Sequence, residues 1–377
     1  MIRILHCADI HLDSPFSAQT PNDAAERRRQ LRQTFADMAE FAREKEVDLF
    51  LICGDLFDRE YVTRDTADFV CRVFESAPKV RFVIIPGNHD PYTEGGIYRK
   101  TVFPANVTVF KSETLSCVSF PELKTDVYGY AYHSAQMAQN PFAGQTVQDP
   151  SRINLLMAHG SLNGPPGSPC PFTEADIINS GFDYYALGHY HNTEGIRQAG
   201  HKWYGYCGCP QGRDFGETGY KGAVYACLSK ENGVFSAHVE QIRFCTYRYE
   251  ILRCNITGPD EGDSHYSLVD GAIRAAGYGT DTALRIVLEG NVPSDACFPV
   301  LRLRAAWQDS LAQLEVEDNT LPLLNHEALL HDPSLRGAFY RTLYEDLQSD
   351  DPHTREIAAL ALRYGFAALD GSDLDFD

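Results

Sequence analysis

Apolar runs that end in a glycine or a polar side chain recur along the first half of the chain. Five of these runs predict buried strands, at residues 2–8, 47–53, 80–86, 153–158 and 183–187. Between the first three strands, apolar side chains return at helical spacing over residues 23–46 and 64–77. This alternation of strand and helix is typical of a layered α/β fold.

The later part of the chain has a different pattern. Short strands are predicted at 107–110 and 127–132, and residues 223–228 and 234–244 predict a hairpin around an Asn-Gly turn. After residue 245 the pattern becomes a small α+β unit, with strands at 247–256, 283–289 and 311–316 and helices at 264–276 and 298–307. Two more helices are predicted at 335–347 and 353–369, and an acidic tail follows them. We therefore predict three segments, 1–246, 247–320 and 321–377.

Side chains of the kind that bind metals follow the predicted strands at the point where each strand ends. There are seven of them: Asp9, His11, Asp55, Asn88, His159, His189 and His191. In α/β folds, ligands bind at the edge formed by the carboxyl ends of the strands. A single histidine of this set is explained well enough by packing. Packing alone does not explain why successive strands end in seven such residues.

The seven side chains predict a site for two divalent metal ions. Oxygen and imidazole ligands without a thiolate suit Mn²⁺, Fe²⁺ or Zn²⁺, and seven are too many for one ion. Two ions about 3.5–4 Å apart form the clamp used for in-line displacement at phosphorus, and Asp55 is the candidate bridging carboxylate. His89 is expected to act in catalysis, by contacting a phosphoryl oxygen or protonating a leaving alkoxide, and Asp90 is expected to orient it.

Composition and length narrow the class of protein. The 377 residues are enough for two domains or slightly more, and 44% hydrophobic with 23% charged residues is typical of a soluble globular protein. No apolar run approaches the roughly 20 residues that span a bilayer, so no membrane association is expected. The first residues enter a strand without the layout of a signal peptide. The 11 cysteines are expected to be reduced, as in a cytoplasmic protein.

The negative charge is concentrated towards the end of the chain. The formal net charge is −19, and residues 246–377 hold 10 Arg, no Lys and 23 acidic residues. The outer face of the first predicted helix carries Arg27, Arg28, Arg29 and Arg32, either as a solvated face or as a phosphate-binding patch. A bulk negative charge disfavours unaided binding of nucleic acid. Metal ions or a basic partner can supply the missing positive charge.

The order and spacing of these motifs resemble the calcineurin-like metallophosphoesterases. Within that family the chain is similar to the SbcD-type DNA repair nucleases, especially the YhaO-like branch, and the similarity covers residues 1–250. The segments that carry it are Asp9-x-His11, Gly54-Asp55-x-x-Asp58, Gly87-Asn88-His89-Asp90, His159, Gly188-His189-x-His191 and Gln211-Gly212-Arg213-Asp214-Phe215-Gly216-Glu217.

The resemblance implies a fold and a ligand set. The fold would be α/β (α+β), a four-layer αββα sandwich with a small α+β capping domain at 247–320 and C-terminal helices at 321–377. The cofactor would be two divalent ions, with manganese expected. One ion would be held by Asp9, His11, Asp55 and His191, and the other by Asp55, Asn88, His159 and His189.

The resemblance also implies partners. DNA would be the substrate, in a groove that the capping domain helps to shape, and a homodimer is expected. The C-terminal helices would bind a coiled-coil ATPase of the SbcC or YhaN kind. Phe339, Leu343 and Leu347 are candidates for that contact, and packing on their own domain is the alternative.

The expected function is therefore a manganese-dependent DNA exonuclease or endonuclease that hydrolyses phosphodiester bonds in DNA repair. The same metal clamp serves all phosphoesters, so hydrolysis of small-molecule or protein phosphoesters is the alternative. A non-catalytic scaffold that recruits an ATPase is a third possibility. Loss of metal ligands would be its signature, and every expected ligand is present in the sequence.

Overall fold

The computed structural model describes residues 1–16, 21–59, 62–293 and 296–369, and the chain forms two compact units. The first unit is Met1–Tyr249 and the second is Glu250–Asp377. The predicted acidic tail after residue 369 lies outside the described residues. The division of the later chain into a capping domain and a helical segment stays a prediction.

The first unit contains twelve of the strands that the described residues form, and four helices. In chain order the strands are β1 (Ile2–Cys7), β2 (Leu49–Cys53), β3 (Arg81–Ile85), β4 (Val107–Val109), β5 (Ser116–Phe120), β6 (Thr125–Gly129), β7 (Ile153–His159), β8 (Tyr184–Gly188), β9 (Arg197–Ala199), β10 (Lys202–Tyr206), β11 (Gly222–Glu231) and β12 (Val234–Arg243). The helices are α1 (Pro21–Glu44), α2 (Arg64–Ser76), α3 (Ile97–Lys100) and α4 (Glu174–Asn179).

These strands form two six-stranded sheets. The first sheet has the order β12-β11-β1-β2-β3-β4, and the second has the order β5-β6-β7-β8-β10-β9. In the first sheet β1, β2, β3 and β4 are parallel, and in the second sheet β6, β7, β8 and β10 are parallel. The parallel strands of each sheet therefore bring their carboxyl ends to one edge. The hairpin predicted near the end of this unit is confirmed as β11 and β12.

Alternate side chains of the central strands face two different cores. In β2, Phe50 and Ile52 pack against α1 and α2, in a cluster with Phe35 and Phe74. Their neighbours Leu49 and Leu51 face the second sheet, in a cluster with Leu155, Met157 and Tyr184. The other face of the second sheet packs against Ile177 of α4 and nearby loops. The period-two alternation of a strand thus builds four layers, helix, sheet, sheet and helix, as expected for the αββα sandwich.

Some strands of the second sheet escaped the sequence analysis. The sequence pattern predicts no strand at Lys202–Tyr206, yet β10 covers these residues and pairs in parallel with β8. The strands β5 and β9 are short and lie at the two ends of the sheet order. Edge strands are buried less completely than central ones, so their hydrophobic pattern is weaker in the sequence.

The second unit is a smaller α+β structure. Its strands are β13 (Arg248–Asn255), β14 (Thr282–Glu289), β15 (Asn291–Val292), β16 (Gln313–Asp318) and β17 (Leu321–Pro322), and its helices are α5 (Ser264–Ala276), α6 (Val300–Trp307), α7 (His326–His331), α8 (Leu335–Leu347) and α9 (Pro352–Leu369). β13, β14 and β16 form a three-stranded sheet, with β14 and β16 parallel. The core of this sheet includes Leu284, Ile286, Ile273 and Leu303.

The last helices of the second unit pack on one another. Tyr340 of α8 and Leu362 and Phe366 of α9 are buried together, and Phe339, Leu343 and Leu347 are half-buried against them. Of the two alternatives for these three residues, the structure shows the packing on their own unit. Within the described part of the chain, no helix has the length and apolar character needed to cross a membrane.

Candidate metal centre

The predicted ligands come together where strands from both sheets end. Asp9 and His11 follow β1, Asp55 follows β2, and Asn88 follows β3, all in the first sheet. His159 is the last residue of β7, and His189 and His191 follow β8 in the second sheet. The site therefore lies between the two sheets of the first unit, and the sandwich itself sets the distance between its two walls.

One part of the site joins His11 and His191. Their Nε2 atoms are 3.2 Å apart, and Nε2 of His191 lies 3.9 Å from Oδ1 of Asp9. His11 is buried, and its Nε2 lies 3.7 Å from Oδ2 of Asp55. Two imidazole nitrogens and two carboxylates thus converge on one small volume.

The other part of the site is built around His159. Its Nε2 lies 3.3 Å from Oδ2 of Asp55 and 2.9 Å from Oδ1 of Asn88. Its Nδ1 lies 2.9 Å from the carbonyl oxygen of Cys53, which accepts the Nδ1 proton and leaves Nε2 free to act as a ligand. The ring of His189 lies 5.3 Å from that of His159, centroid to centroid. The Oδ2 atom of Asp55 therefore stands between the two parts, and Asp55 could contribute to holding a cation in either of them.

The donor set fits divalent metal ions. Three groups of side chains each bring their ligand atoms within 4.8 Å of one another: Asp9, His11 and His191; Asp9, Asp55 and His159; and His11, Asp58 and His89. Asp9 and Asp55 are each only 1% exposed. Burying two carboxylates is costly unless cations compensate them. Carboxylate and imidazole donors suit manganese, iron or zinc.

Several of these ligands have a left-handed backbone. The φ angles are 54° at Asp9, 51° at His11, 52° at Asp55 and 111° at His189. Side chains other than glycine rarely adopt this region, and such residues concentrate at functional sites. Hydrogen bonds between the strand ends hold the conformation, because the Asp9 amide donates to the Gly54 carbonyl at 3.1 Å and the His11 amide donates to the Asp55 carbonyl at 3.0 Å.

Glycines leave the space that the ligands occupy. A Cβ atom on Gly87 would lie 2.2 Å from Oδ1 of Asp55, and one on Gly54 would lie 2.2 Å from Nδ1 of His159. A Cβ atom on Gly188 would meet the carbonyl oxygen of Cys53 at 2.0 Å. The glycines that precede the ligand residues in the sequence motifs are therefore required by close approach.

Burial and neighbouring charge shift the pKa values of the ligands. Burial disfavours the charged form of His159, but the Asp55 carboxylate outweighs it and raises the pKa of His159 to about 9. Burial also disfavours the charged form of Asp55, and the charge of His159 outweighs it, so the pKa of Asp55 falls well below its usual value. Burial and the charge of His159 lower the pKa of His189 to about 4. The Asp55 carboxylate and the His159 imidazole therefore stabilise each other's charge at the candidate site.

A second layer of charged residues holds the two histidines of the first part. Nδ1 of His191 donates to Oε1 of Glu217 at 2.6 Å, and Nδ1 of His11 lies 3.1 Å from Oδ1 of Asp58. Arg213 joins these carboxylates, because its guanidinium lies 2.9 Å from Glu217 and 3.3 Å from Asp58. Carboxylates in this position orient a ligating imidazole and fix its tautomer.

The sequence analysis missed the roles of Arg213 and Glu217. Both residues lie in a segment that contributed only to the family resemblance. The sequence did contain a signal for these two residues. An arginine and a glutamate four residues apart often pair along one face of a helix, but this segment has no helical pattern, so that pairing does not explain them. Pairing across the site was the remaining explanation, but the sequence does not show which strand end they reach.

Asp90 does not orient His89 as predicted. Its carboxylate accepts hydrogen bonds from the Gly87 amide at 2.7 Å, the Phe57 amide at 3.0 Å and the Tyr98 hydroxyl at 2.6 Å. Burial and the negative charge of Asp55 raise the pKa of Asp90 to about 7. Asp90 therefore links the loop that follows β3 to the loop that follows β2. Its carboxylate accepts from the Gly87 amide of its own turn instead of contacting the His89 ring.

His89 stays available for a reaction. Its side chain is exposed, and its ring lies 4.9 Å from that of His11. Its backbone amide donates to Oδ1 of Asp55 at 2.9 Å, which holds the residue beside the ligands. The structure thus places an imidazole at the mouth of the site.

Comparison with known proteins agrees with the fold. Residues 2–193 match the sequence profile of the calcineurin-like phosphoesterases, which is half of the chain. The protein belongs to the calcineurin-like phosphoesterase family.

Two curated relatives add detail. The chain is 27% identical over 365 residues to an uncharacterized metallophosphoesterase, YhaO, of Bacillus subtilis, covering 93% of this chain and 88% of that protein. It is 25% identical over 206 residues to the DNA double-strand break repair protein Mre11 of Saccharolobus solfataricus, covering 52% of this chain and 51% of that protein. A crystal structure of a Vps29 double mutant from Entamoeba histolytica covers 63% of this chain and 98% of its own at 13% identity, with a TM-score of 0.25, too low to support a conclusion.

Proposed function

We propose that this protein is a manganese-dependent DNA nuclease subunit that hydrolyses phosphodiester bonds. The observation that carries the proposal is the position of Asp55, whose Oδ2 atom lies 3.7 Å from His11 and 3.3 Å from His159. These two imidazoles belong to different ligand groups, and this position supports a carboxylate that two adjacent cations would share. Shared sites of this kind serve displacement at phosphorus.

The residues of the chain have separate roles in the proposed reaction. Two divalent ions, when bound, supply Lewis-acid polarisation of the phosphoryl oxygens and lower the pKa of water. Asp9, His11, Asp55 and His191 would hold one of them, and Asn88, His159 and His189 would hold the other together with Asp55. His89 stands beside them, where it donates a hydrogen bond to a phosphoryl oxygen or a proton to the leaving alkoxide.

DNA is proposed as the substrate on the basis of relatives and layout. The similarity to an Mre11 protein supports it, although that similarity covers only about half of each chain. The acidic charge of residues 246–377 favours smaller phosphoesters, which are the second candidate. Exonuclease and endonuclease action are both part of the proposal.

An ATPase partner of the SbcC or YhaN kind is part of the same proposal. Its contact would fall on α8 and α9, where Leu335 is 70% exposed and Ile357 is 55% exposed. These side chains are free of the helix packing that occupies Phe339 and Leu343. A homodimer and a cytoplasmic location are also proposed. All 11 cysteines are free thiols, which suits a reducing compartment.

The proposal is tested by digestion of linear double-stranded DNA with the purified protein and Mn²⁺, alongside bis(4-nitrophenyl) phosphate. Cleavage of both, abolished by a chelator, is expected. Hydrolysis of the aryl diester without cleavage of DNA, even when an SbcC-like ATPase is added, would indicate that the substrates are smaller phosphoesters and not DNA. No hydrolysis of either would refute phosphodiesterase activity.

A further inference from the structure

A cavity of about 410 Å³ opens beside the metal centre, on the side of His191. Its lining includes Leu162, Asn163, Tyr190, Tyr204 and Tyr206, together with His191 itself. The cavity belongs wholly to the first unit, and its size is that of a small-molecule site. Because a metal ligand forms part of its wall, whatever fills it lies next to the reacting phosphate.

Two of the three tyrosine rings are fixed by their hydroxyl groups. The Tyr206 hydroxyl donates to the Gly160 carbonyl at 2.7 Å and accepts from the Leu162 amide at 2.8 Å. The Tyr204 hydroxyl donates to Glu174. With their polar ends occupied, these residues offer the cavity only flat aromatic surface, and that surface is rigid before anything binds.

The third ring is exposed to solvent at the mouth of the cavity. Tyr190 is 39% exposed, although it sits between His189 and His191. Its ring centroid lies 4.7 Å from that of Tyr206 and 5.3 Å from that of His189, so ring contacts hold it in place. The exposed face of Tyr190 is therefore an aromatic surface held in a fixed position beside the cavity.

Polar groups surround the aromatic surface. Asn163 lines the cavity with an exposed side chain, and its backbone is left-handed, with φ of 53°. Asn192 is fixed, because its amide donates to the Gly216 carbonyl at 3.3 Å and accepts from Lys221. Aromatic faces with carboxamides at the edge are how proteins bind unpaired nucleobases.

We propose that this cavity binds one unpaired nucleobase, that of the nucleotide whose phosphate occupies the metal centre. The inference rests on the proposed phosphodiesterase function and names the subsite that recognises its substrate. The base stacks on Tyr190, and Asn163 reaches its polar edge. A base inside a duplex is already stacked, so the cavity selects strand ends, single strands or unpaired nucleotides.

The test compares two phosphodiesters with the same leaving group. One is thymidine 5′-(4-nitrophenyl) phosphate, and the other is the 4-nitrophenyl ester of the abasic sugar phosphate. Stacking of one base is worth roughly 1–3 kcal/mol, so kcat/KM of the wild type should favour the thymidine ester by about 5- to 150-fold, mostly through KM. A kcat/KM ratio near one, with both esters hydrolysed, would contradict nucleobase binding in the cavity but would not contradict the proposed function.

Variants of Tyr190 test whether this residue causes the preference for the thymidine ester. Tyr190→Leu should reduce the preference to near one, and Tyr190→Phe, which keeps the ring, should keep the preference. Tyr220→Leu is the matched control, since Tyr220 is 50% exposed in the same unit and does not line the cavity. A preference that survives Tyr190→Leu would overturn the assignment. Hydrolysis of neither ester by the wild type would overturn the proposed function, and this inference with it.

Discussion

The direction of each imidazole nitrogen decides what the site can bind. His191 and His11 both turn Nδ1 towards a carboxylate, Glu217 at 2.6 Å and Asp58 at 3.1 Å. The two Nε2 atoms are left 3.2 Å apart. Two protons do not fit between nitrogens that are so close, whereas a single cation accepts both lone pairs. The positions of these two Nε2 atoms therefore favour a metal ion bound between His11 and His191.

His89 is expected to matter for the reaction and not for metal binding. His89→Ala should keep the manganese content of the wild type, because the ligand atoms of Asn88 and Asp55 do not depend on the imidazole. Hydrolysis of bis(4-nitrophenyl) phosphate should fall by about 100-fold or more. His201→Ala, a change of another exposed histidine of the first unit, is the control. Turnover close to wild type in His89→Ala would remove His89 from the mechanism.

Glu217 is expected to set the metal affinity through His191. Glu217→Gln keeps the shape of the side chain but removes the negative charge that holds the Nδ1 proton. Loss of such a partner typically costs about 10- to 100-fold in metal affinity. Titration of the metal-free protein with Mn²⁺ measures the change, and Glu217→Asp, which keeps the charge, should recover part of it. Unchanged affinity in Glu217→Gln would show that Glu217 does not support the ligand.

His6 is expected to make the first unit less stable in acid. Nε2 of His6 lies 3.1 Å from the Leu187 carbonyl and Nδ1 lies 3.2 Å from the Tyr184 hydroxyl, so the neutral ring satisfies both partners. Burial lowers the pKa of His6 to about 4. Its stabilising contribution is full above the unfolded pKa of about 6.5 and disappears as the pH falls towards the folded pKa, a loss of about 3 kcal/mol.

Urea unfolding between pH 7.5 and 4.5, in the presence of a chelator, measures this contribution of His6. His6→Gln should be less stable than the wild type at pH 7.5, and the gap should narrow as the pH falls. Parallel curves for the two proteins would contradict the assignment of a buried neutral His6.

At the scale of elements, the candidate ligands lie at the ends of the strands, and the buried side chains that stabilise the fold lie within them. Leu49, Leu51 and Val83 are completely buried within the two sheets, while the candidate ligands lie at the last strand residue, in the case of His159, or one to four residues beyond it. The strain of the left-handed ligand residues is held by hydrogen bonds from one strand end to the next. A rigid scaffold thus holds a strained set of ligands in place.

Gly188 tests how tightly the two sheets meet at the site. In Gly188→Ala the new Cβ would meet the Cys53 carbonyl and the Cβ of Ala8, and neither backbone has room to move. We expect a loss of about 1–3 kcal/mol in the free energy of unfolding, together with weaker manganese binding.

The matched control for Gly188→Ala is Gly271→Ala. Gly271 lies within α5 with open space around it, so this change should stabilise its helix by about 0.5–1 kcal/mol. If Gly188→Ala were as stable as the wild type, the sheets could separate at this point without cost.

The central strands and the ligands that follow them were predictable from the sequence. Buried parallel strands leave long apolar runs, and Asp9, Asp55 and His159 interrupt such runs abruptly. The contacts of Asp90 and Glu217 were not predictable, because they depend on which loops meet in space. Edge strands such as β9 were missed because only part of each is buried.

At the scale of the whole molecule, charge is distributed unevenly between the parts of the chain. Residues 1–245 contain 23 basic and 29 acidic residues, whereas residues 246–377 contain 10 basic and 23 acidic ones. Cations at the candidate metal centre would supply positive charge that helps the first unit to attract a phosphate group. We therefore expect the metal centre to be needed for substrate binding as well as for chemistry.

The most direct test of this account is the electron paramagnetic resonance spectrum of the protein loaded with Mn²⁺, with the bound metal counted on the same sample. The account predicts two ions per chain in the wild type with a spin-coupled spectrum, because Asp55 joins two adjacent sites. Asp55→Ala should lose the coupling, the second ion and the phosphodiesterase activity together. One ion per chain in the wild type, or normal metal content in Asp55→Ala, would contradict the shared dinuclear centre.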